Sequence, residues 1–353
     1  MAVLRPAGEF DQSYAYDMAT IRRRWQWIAL GLFLLALYAL PLYASPSLVS
    51  FVNRAAMTIV AVQGLNILTG YTGQISLGQA AFMTTGGYIS ALLMIHAGLP
   101  FLLALPLAAL GAGLVGLIFG LPSLRVKGFY LAMSTLAAQF IIPWFVRNAF
   151  PKVLNGTQGL NVPPPEVLGI VFNAPTRYLY LSLSVLVVTT VVAHNVARSR
   201  LGRALVAIRD QDLAAELLGI NLFKYKLQAF FLAAVYAGLS GSLFAHHLRH
   251  LNSETFNLTD SVLLMGMLVV GGLGTSLGPI LGTVLVLLIL ELATVAGPTV
   301  ATIFPGTAAS TVQALRPLFF GVVLMLFLIF EPRGLAHRWK LMKAAWRLRP
   351  FSH

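Results

Sequence analysis

From Trp27 to Phe330 the chain is a succession of apolar runs with no soluble domain between them, each of roughly the 20 residues an α-helix needs to cross about 30 Å of hydrocarbon. Backbone polar groups in lipid must be satisfied within the structure, so such a chain is expected to fold as membrane-spanning helices. Composition agrees, because 58% hydrophobic and 10% charged residues leave too little polar surface for a soluble globule of 353 residues. The sequence predicts an all-α polytopic membrane protein with ten spans, near 27–44, 51–69, 79–96, 100–120, 128–150, 178–197, 227–247, 261–273, 277–296 and 315–330. One membrane domain would fill 27–331, after an N-terminal segment at 1–26 and before a basic tail at 332–353.

Charge sets the expected orientation. Lysine and arginine in short loops accumulate on the cytoplasmic side, and with the N-terminus inside, eighteen of the 24 basic residues fall there. Both termini are therefore expected in the cytoplasm. The net charge of +13 does not indicate a nucleic-acid partner, since the basic residues sit at the ends of apolar runs instead of forming an aromatic-interleaved patch. With no cysteine there is no disulfide framework or Cys-based metal site, and no small-residue cleavage site follows the first run, so no cleaved signal peptide is expected.

Nine charged residues crowd into 198–226 (Arg198, Arg200, Arg203, Arg209, Asp210, Asp212, Glu216, Lys224, Lys226). A charge at the bilayer centre costs about 2.5 to 3.5 kcal/mol, so this island lies in water, on the cytoplasmic side by the charge count. Within it, 210–218 reads as a short amphipathic helix. Asp210 and Asp212 suit its positive N-terminus, Leu213, Leu217 and Leu218 form an apolar side, and Gly219 fits as the C-terminal cap. From the residues alone, such a helix either rests on the membrane surface or docks on a partner.

Two stretches are too rich in glycine to be ordinary spans: Gly70-Tyr71-Thr72-Gly73-Gln74-Ile75-Ser76-Leu77-Gly78-Gln79 and Gly271-Gly272-Leu273-Gly274-Thr275-Ser276-Leu277-Gly278-Pro279. Each is predicted to unwind or turn sharply. Irregular backbone at membrane depth survives where it is buried in protein or lines a wet cavity, which makes Asn66, Gly70, Gly73, Gln74, Ser76, Gly78, Gly271, Gly272, Gly274 and Ser276 candidates for a translocation path. Close packing through small residues, or a tight turn between two spans, is the alternative. Asn53, Gln63 and Asn66 also give the second span a polar side.

Glu291 stands inside a long apolar run, either as a structural partner for a basic side chain or as a proton site. Arg54, near the outer end of the second span, can snorkel. His246 and His250 are one helical turn apart, beside His247, and with Glu254 could ligate a metal, although outer-end histidines are commonly interfacial and no metal is expected. The outer loop at 151–177, with Pro163-Pro164-Pro165, excludes a helix around its prolines and is either a connector or a docking surface. No G-x-x-x-x-G-K-[ST], HExxH or Ser-His-Asp set occurs, so no catalytic residue and no cofactor of this chain's own is expected.

The stretch Ala214-Ala215-Glu216-Leu217-Leu218-Gly219 resembles a degenerate Glu-Ala-Ala-x-x-x-Gly loop of ABC-importer permeases, with Leu213 where that pattern has Glu. Along the chain, in order, stand Leu65-Asn66-Ile67-Leu68-Thr69-Gly70-Tyr71-Thr72-Gly73-Gln74-Ile75-Ser76-Leu77-Gly78, Leu124-Arg125-Val126-Lys127-Gly128-Phe129-Tyr130-Leu131-Ala132, Asn155-Gly156-Thr157-Gln158-Gly159-Leu160, Leu201-Gly202-Arg203-Ala204, Leu218-Gly219-Ile220, Val270-Gly271-Gly272-Leu273-Gly274 and Glu331-Pro332-Arg333-Gly334-Leu335. Together, over roughly 53–335, they resemble the LivM-type permeases of branched-chain amino acid ABC importers. The resemblance implies a multi-pass protein of the cell inner membrane paired with a LivH-type permease subunit. It further implies two cytoplasmic ATP-binding subunits that hold ATP and Mg, and an extracytoplasmic solute-binding protein that delivers leucine, isoleucine or valine. Family members also carry urea, short amides and other amino or organic acids. Coupling to the ATPases would fall to Arg203, Asp212, Ala214, Ala215, Glu216 and Gly219. The rivals are a proton-coupled secondary transporter using Glu291 and a membrane scaffold.

Overall fold

The computed structural model describes residues 24–124, 128–149, 151–156, 158–167, 169–303 and 308–348. Most of the expected N-terminal segment, Arg125, Lys127, Thr157 and Arg349 lie outside them. The helices are α1 (Arg24–Tyr43), α2 (Pro46–Leu65), α3 (Gln79–Ile95), α4 (Phe101–Gly120), α5 (Phe129–Asn148), the single turn α6 (Pro151–Leu154), α7 (Pro175–Arg198), α8 (Arg200–Asp210), α9 (Asp212–Leu217), α10 (Leu222–Leu248), α11 (Leu258–Gly271), α12 (Gly278–Ile303), α13 (Ala308–Phe330) and α14 (Leu335–Leu348).

Each of the ten predicted spans overlaps a helix among the described residues, although the one predicted over 261–273 runs past the helix end at Gly271. Among the described residues five helices are long and apolar enough to cross a bilayer: α1, α2 with its continuation to Gly70, α4, α7 and α10. The helices α3 and α11 and the stretch Gly278–Thr294 of α12 are shorter and apolar, and α13 bends by 45° into α14. The chain is thus a multi-pass helical membrane protein.

The centre of the bundle is α10, packed against α2, α3 and α4. Contacts between helix backbones explain its run of alanine, glycine and serine. An added Cβ at Gly241 would collide with the Met83 carbonyl of α3, and one at Gly86 would collide with the Gly238 backbone. Lipid tails are as apolar as the helices, so such close van der Waals packing replaces the hydrophobic effect as the force between them. Hydroxyl groups add cross-helix bonds: Ser240 Oγ donates to Met57 O (2.8 Å), and Tyr236 Oη donates to Thr189 O (2.8 Å). Large apolar side chains such as Leu107, Leu114, Phe140 and Trp144 point outward, where lipid would meet them.

The 151–177 loop is more structured than its proline content suggests. Strand β1 (Leu160–Asn161) pairs antiparallel with β4 (His250–Leu251), which follows α10, and β2 (Glu166–Val167) pairs with β3 (Ile170–Val171). The prolines at 163–165 remain outside regular structure, and α7 starts at Pro175, a residue suited to the first helical position.

The expected His246 and His250 face does not form. Helix α10 ends at Leu248 and Arg249 turns left-handed (φ 59°), which carries His250 onto β4, with Nδ1 3.2 Å from Asn161 Oδ1. His246 is buried with both ring nitrogens engaged: Nε2 is 2.9 Å from Ser90 Oγ and Nδ1 is 2.9 Å from Pro163 O. It is a structural strut between α3, α10 and the outer loop.

Candidate functional site

The two glycine-rich breaks, some 200 residues apart in sequence, meet in space. Helix α2 runs on into a π-helical turn at Asn66–Gly70, where the wider coil turns Asn66 toward the second break. The Asn66 amide then binds that break twice: Nδ2 donates to Thr275 O (3.0 Å), and Oδ1 accepts from Gly274 N (2.9 Å). The second break needs glycine at Gly272 and Gly274, whose φ values of 111° and 68° are hostile to side-chain-bearing residues. Thr275 Oγ1 donates to Gly272 O (2.8 Å) and accepts from Gly278 N (3.0 Å), capping the start of α12. Gly334, in the turn between α13 and α14, packs directly on the Gly272 backbone.

The first break is satisfied by its neighbours. Thr69 Oγ1 donates to Gln74 O (3.0 Å) and Leu77 N donates to Thr135 Oγ1 of α5 (3.0 Å). The half-helix end offered by α3 is capped from two other helices: Ala80 N donates to Ser261 Oγ (2.9 Å) and Ala81 N to Gln139 Oε1 (3.0 Å). Gln139 also donates to Phe256 O (3.1 Å). These bonds spend the free N–H groups that a broken helix would otherwise present.

Beside the meeting point is a cavity of about 500 Å³ between α1, α2, α7 and the start of α12. Gln63, Asn66, Thr190, His194, Asn195 and Ser276 are its polar wall. Of the path residues expected from sequence, Asn66 and Ser276 line it, while Gly70, Gly271 and Gly272 form the packed backbone behind and Gln74, Ser76 and Gly78 are buried around the α3 start. Gly73 and Gly274 face the island. Thr190, His194 and Asn195 were not foreseen, although Thr190, His194 and Arg198 recur every four residues along one face of α7.

The helix expected over 210–218 is interrupted, and two short helices, α8 and α9, lie between α7 and α10 in the charged island. Gln211 is extended (φ −160°, ψ 102°), so Asp210 closes α8 and Asp212 opens α9, where its carboxylate suits the helix N-terminus. Gly219 ends α9 with φ 83°; its N–H donates to Glu216 O (2.9 Å) and that of Ile220 to Ala215 O (3.0 Å), the pair of bonds of a Schellman cap. Ala215 is buried and Lys226 Nζ lies 3.8 Å from Asp212 Oδ2, which fixes α9 to the base of α10. Arg203, Ala214, Glu216 and Gly219 are exposed. The apolar side faces away from the body: Leu213, Leu217 and Leu218 are 61%, 89% and 81% exposed.

One side chain joins island and breaks. Arg209, at the end of α8, donates through Nη1 to Gly70 O (3.0 Å) and is held by Asp210 Oδ1 through Nε (3.2 Å) and Nη2 (3.1 Å). It fits where glycines leave room: a Cβ at Gly73 would lie 2.9 Å from its Cγ, and one at Gly274 2.7 Å from its Nη1. Far from this cluster, Glu291 Oε2 accepts from Arg54 Nη2 at 2.7 Å, with both side chains nearly half exposed. Among the described residues no cluster of three or more His, Cys, Asp or Glu could hold a metal ion.

A family profile described as the permease component of the branched-chain amino acid transport system matches residues 47–328. The high-affinity branched-chain amino acid transport system permease protein LivM of Salmonella typhimurium is 30% identical over 350 residues, covering 91% of this chain and 76% of that protein. LivM of Escherichia coli is 29% identical with the same coverage, and a probable LivM of Methanocaldococcus jannaschii is 22% identical, covering 77% of this chain and 88% of that protein. The chain therefore belongs to the family of branched-chain amino acid transport permeases, as a multi-pass membrane subunit and not an enzyme.

Proposed function

We propose that this chain is one of two permease subunits of an ATP-driven importer in the cell inner membrane, moving branched-chain amino acids inward. A LivH-type subunit is its membrane partner, two ATP-binding subunits carry ATP and Mg, and an extracytoplasmic binding protein delivers the solute. The observation that carries this reading is the outward apolar side of α9, joined through Arg209 to the first glycine-rich break. Three exposed leucines on a capped, rigid helix suit the groove of a protein partner, and the chain has no nucleotide-binding loop of its own. Movement of α8 and α9 on nucleotide binding would pull on Gly70 O and, through Asn66, on Gly274 and Thr275.

The proton-coupled alternative has less support. Glu291 is held by Arg54 at 2.7 Å, away from the meeting of the breaks, which suits a structural pair. Uptake of radiolabelled L-leucine into vesicles bearing the co-expressed subunits tests the proposal. Uptake should cease when the partner ATPases are inactivated and persist with a protonophore, and the opposite pattern would sink it.

A further inference from the structure

The importer reading leaves the basic tail without a role, yet the tail forms α14. No aspartate or glutamate follows Glu331, whereas six lysines and arginines do. The Gly334 turn (φ 76°) separates α14 from the membrane helix α13, and the two axes differ by 45°, so α14 leaves the line of the span obliquely. With this end of the chain inside, as the distribution of lysine and arginine implies, α14 starts at the inner boundary between hydrocarbon and headgroups.

Its side chains sort into two rows. Leu335, Trp339 and Met342 fall on one stripe, at spacings of four and three, and Lys340 and Lys343 on the stripe beside it. Trp339 and Met342 are 51% and 56% exposed. Arg338 would interrupt the apolar side between Leu341 and Met342, but its Nε donates to Glu331 Oε2 (2.6 Å), which draws the charge back toward the end of α13. The exposed apolar surface continues that of α13, where Ile329 and Phe330 point outward as lipid-facing residues do. A soluble partner has no reason to extend the lipid-facing surface of a span, and the excess of positive charge selects an anionic one. We infer that α14 lies in the headgroup layer of the inner leaflet and binds anionic phospholipid. Trp339 and Met342 enter the acyl boundary, and Lys340 and Lys343 meet the phosphate groups. The anchor also reaches the second glycine-rich break. Ala336 is buried in the first turn of α14, and a Cβ at Gly334 would lie 2.5 Å from Gly272 Cα, so a helix held on lipid holds its turn against Gly272. The inference is independent of the solute and of the energy source.

The natural absence of cysteine gives a clean test. Met342→Cys and, separately, Lys340→Cys each carry a single nitroxide, with Trp339→Cys as the reporter if Met342→Cys fails to assemble. The protein, with the subunits that purify with it, is placed in nanodiscs of phosphatidylcholine or of phosphatidylglycerol. Access of a neutral nickel chelate to the label is then read by electron paramagnetic resonance. At 342 the label should be shielded in phosphatidylglycerol and open in phosphatidylcholine, while at 340 it stays open in both. Adding Lys340→Gln and Lys343→Gln to Met342→Cys should lower the shielded-to-open ratio in phosphatidylglycerol about thirtyfold, equivalent to about 2 kcal/mol. Equal access at 342 in the two lipids, whether the label is wet or enclosed by a neighbouring protein, would overturn the anchor. So would shielding of 340 together with 342, or shielding unchanged by the loss of both lysines.

Discussion

Replacing Arg209 by glutamine removes the side-chain bond from the charged island to Gly70 O of the first break. The two contacts with Asp210 contribute little, because Asp210 is 65% exposed and solvated pairs of this kind are worth about 0.2–1 kcal/mol. The bond to Gly70 O is different. Gly70 is buried, its carbonyl accepts from a charged donor at 3.0 Å, and such bonds contribute about 1.5–3 kcal/mol. Arg209 is itself 37% exposed, so the lower end, about 1.5 kcal/mol, is appropriate, equivalent to roughly tenfold in a coupling equilibrium. In proteoliposomes holding the complete transporter, Arg209→Gln should cut the stimulation of ATP hydrolysis by solute-loaded binding protein about tenfold, while basal hydrolysis stays within about twofold. Arg209→Lys keeps a charged donor but loses the planar fork, so it should fall between the two. Stimulation within about twofold of wild type in Arg209→Gln would refute the claim that this contact transmits movement.

Other perturbations have separable outcomes. Gly219→Ala forces a side chain into φ 83°, costing about 1–2 kcal/mol, so hydrogen exchange across Leu213–Leu218 should quicken roughly tenfold while the membrane helices keep their protection. Glu291→Gln breaks a half-exposed pair worth about 1 kcal/mol or less, and leucine uptake should remain within about twofold of wild type; loss of uptake would restore the proton-site reading. Gly241→Val would drive its side chain into the Met83 backbone, and unfolding in mixed micelles should show a loss of at least about 1–3 kcal/mol, whereas an unchanged midpoint would contradict the packing described for α10.

Much of the fold was legible in the sequence because each apolar run is a local signal. Helix α4, for instance, needs only its own length and composition to be identified. The glycines at Gly70–Gly78 and Gly271–Gly278 likewise announce breaks. Their meeting was not legible. It depends on the Asn66 amide reaching Gly274 and Thr275, more than 200 positions away, and on a π-helical turn that no periodicity announces. The capping of α3 by Gln139 and Ser261 is equally long-range. Where local reading failed, single residues were responsible: extended Gln211 divides the expected island helix, and left-handed Arg249 removes His250 from the face of His246. The apolar side of the island helix was identified correctly, but only the structure shows Leu213, Leu217 and Leu218 turned away from the body.

Those leucines permit the most direct test of the central claim, that α9 docks on an ATP-hydrolysing partner. Leu217, 89% exposed, can become the only thiol in a chain without cysteine. Coupled to a short photoactivatable cross-linker in intact membranes, Leu217→Cys should form its main adduct with an ATP-binding subunit, and the yield should change when a non-hydrolysable ATP analogue is added. Adducts confined to phospholipid, with none to an ATPase in either nucleotide condition, would mean that α9 lies on the membrane surface and that the coupling account is wrong.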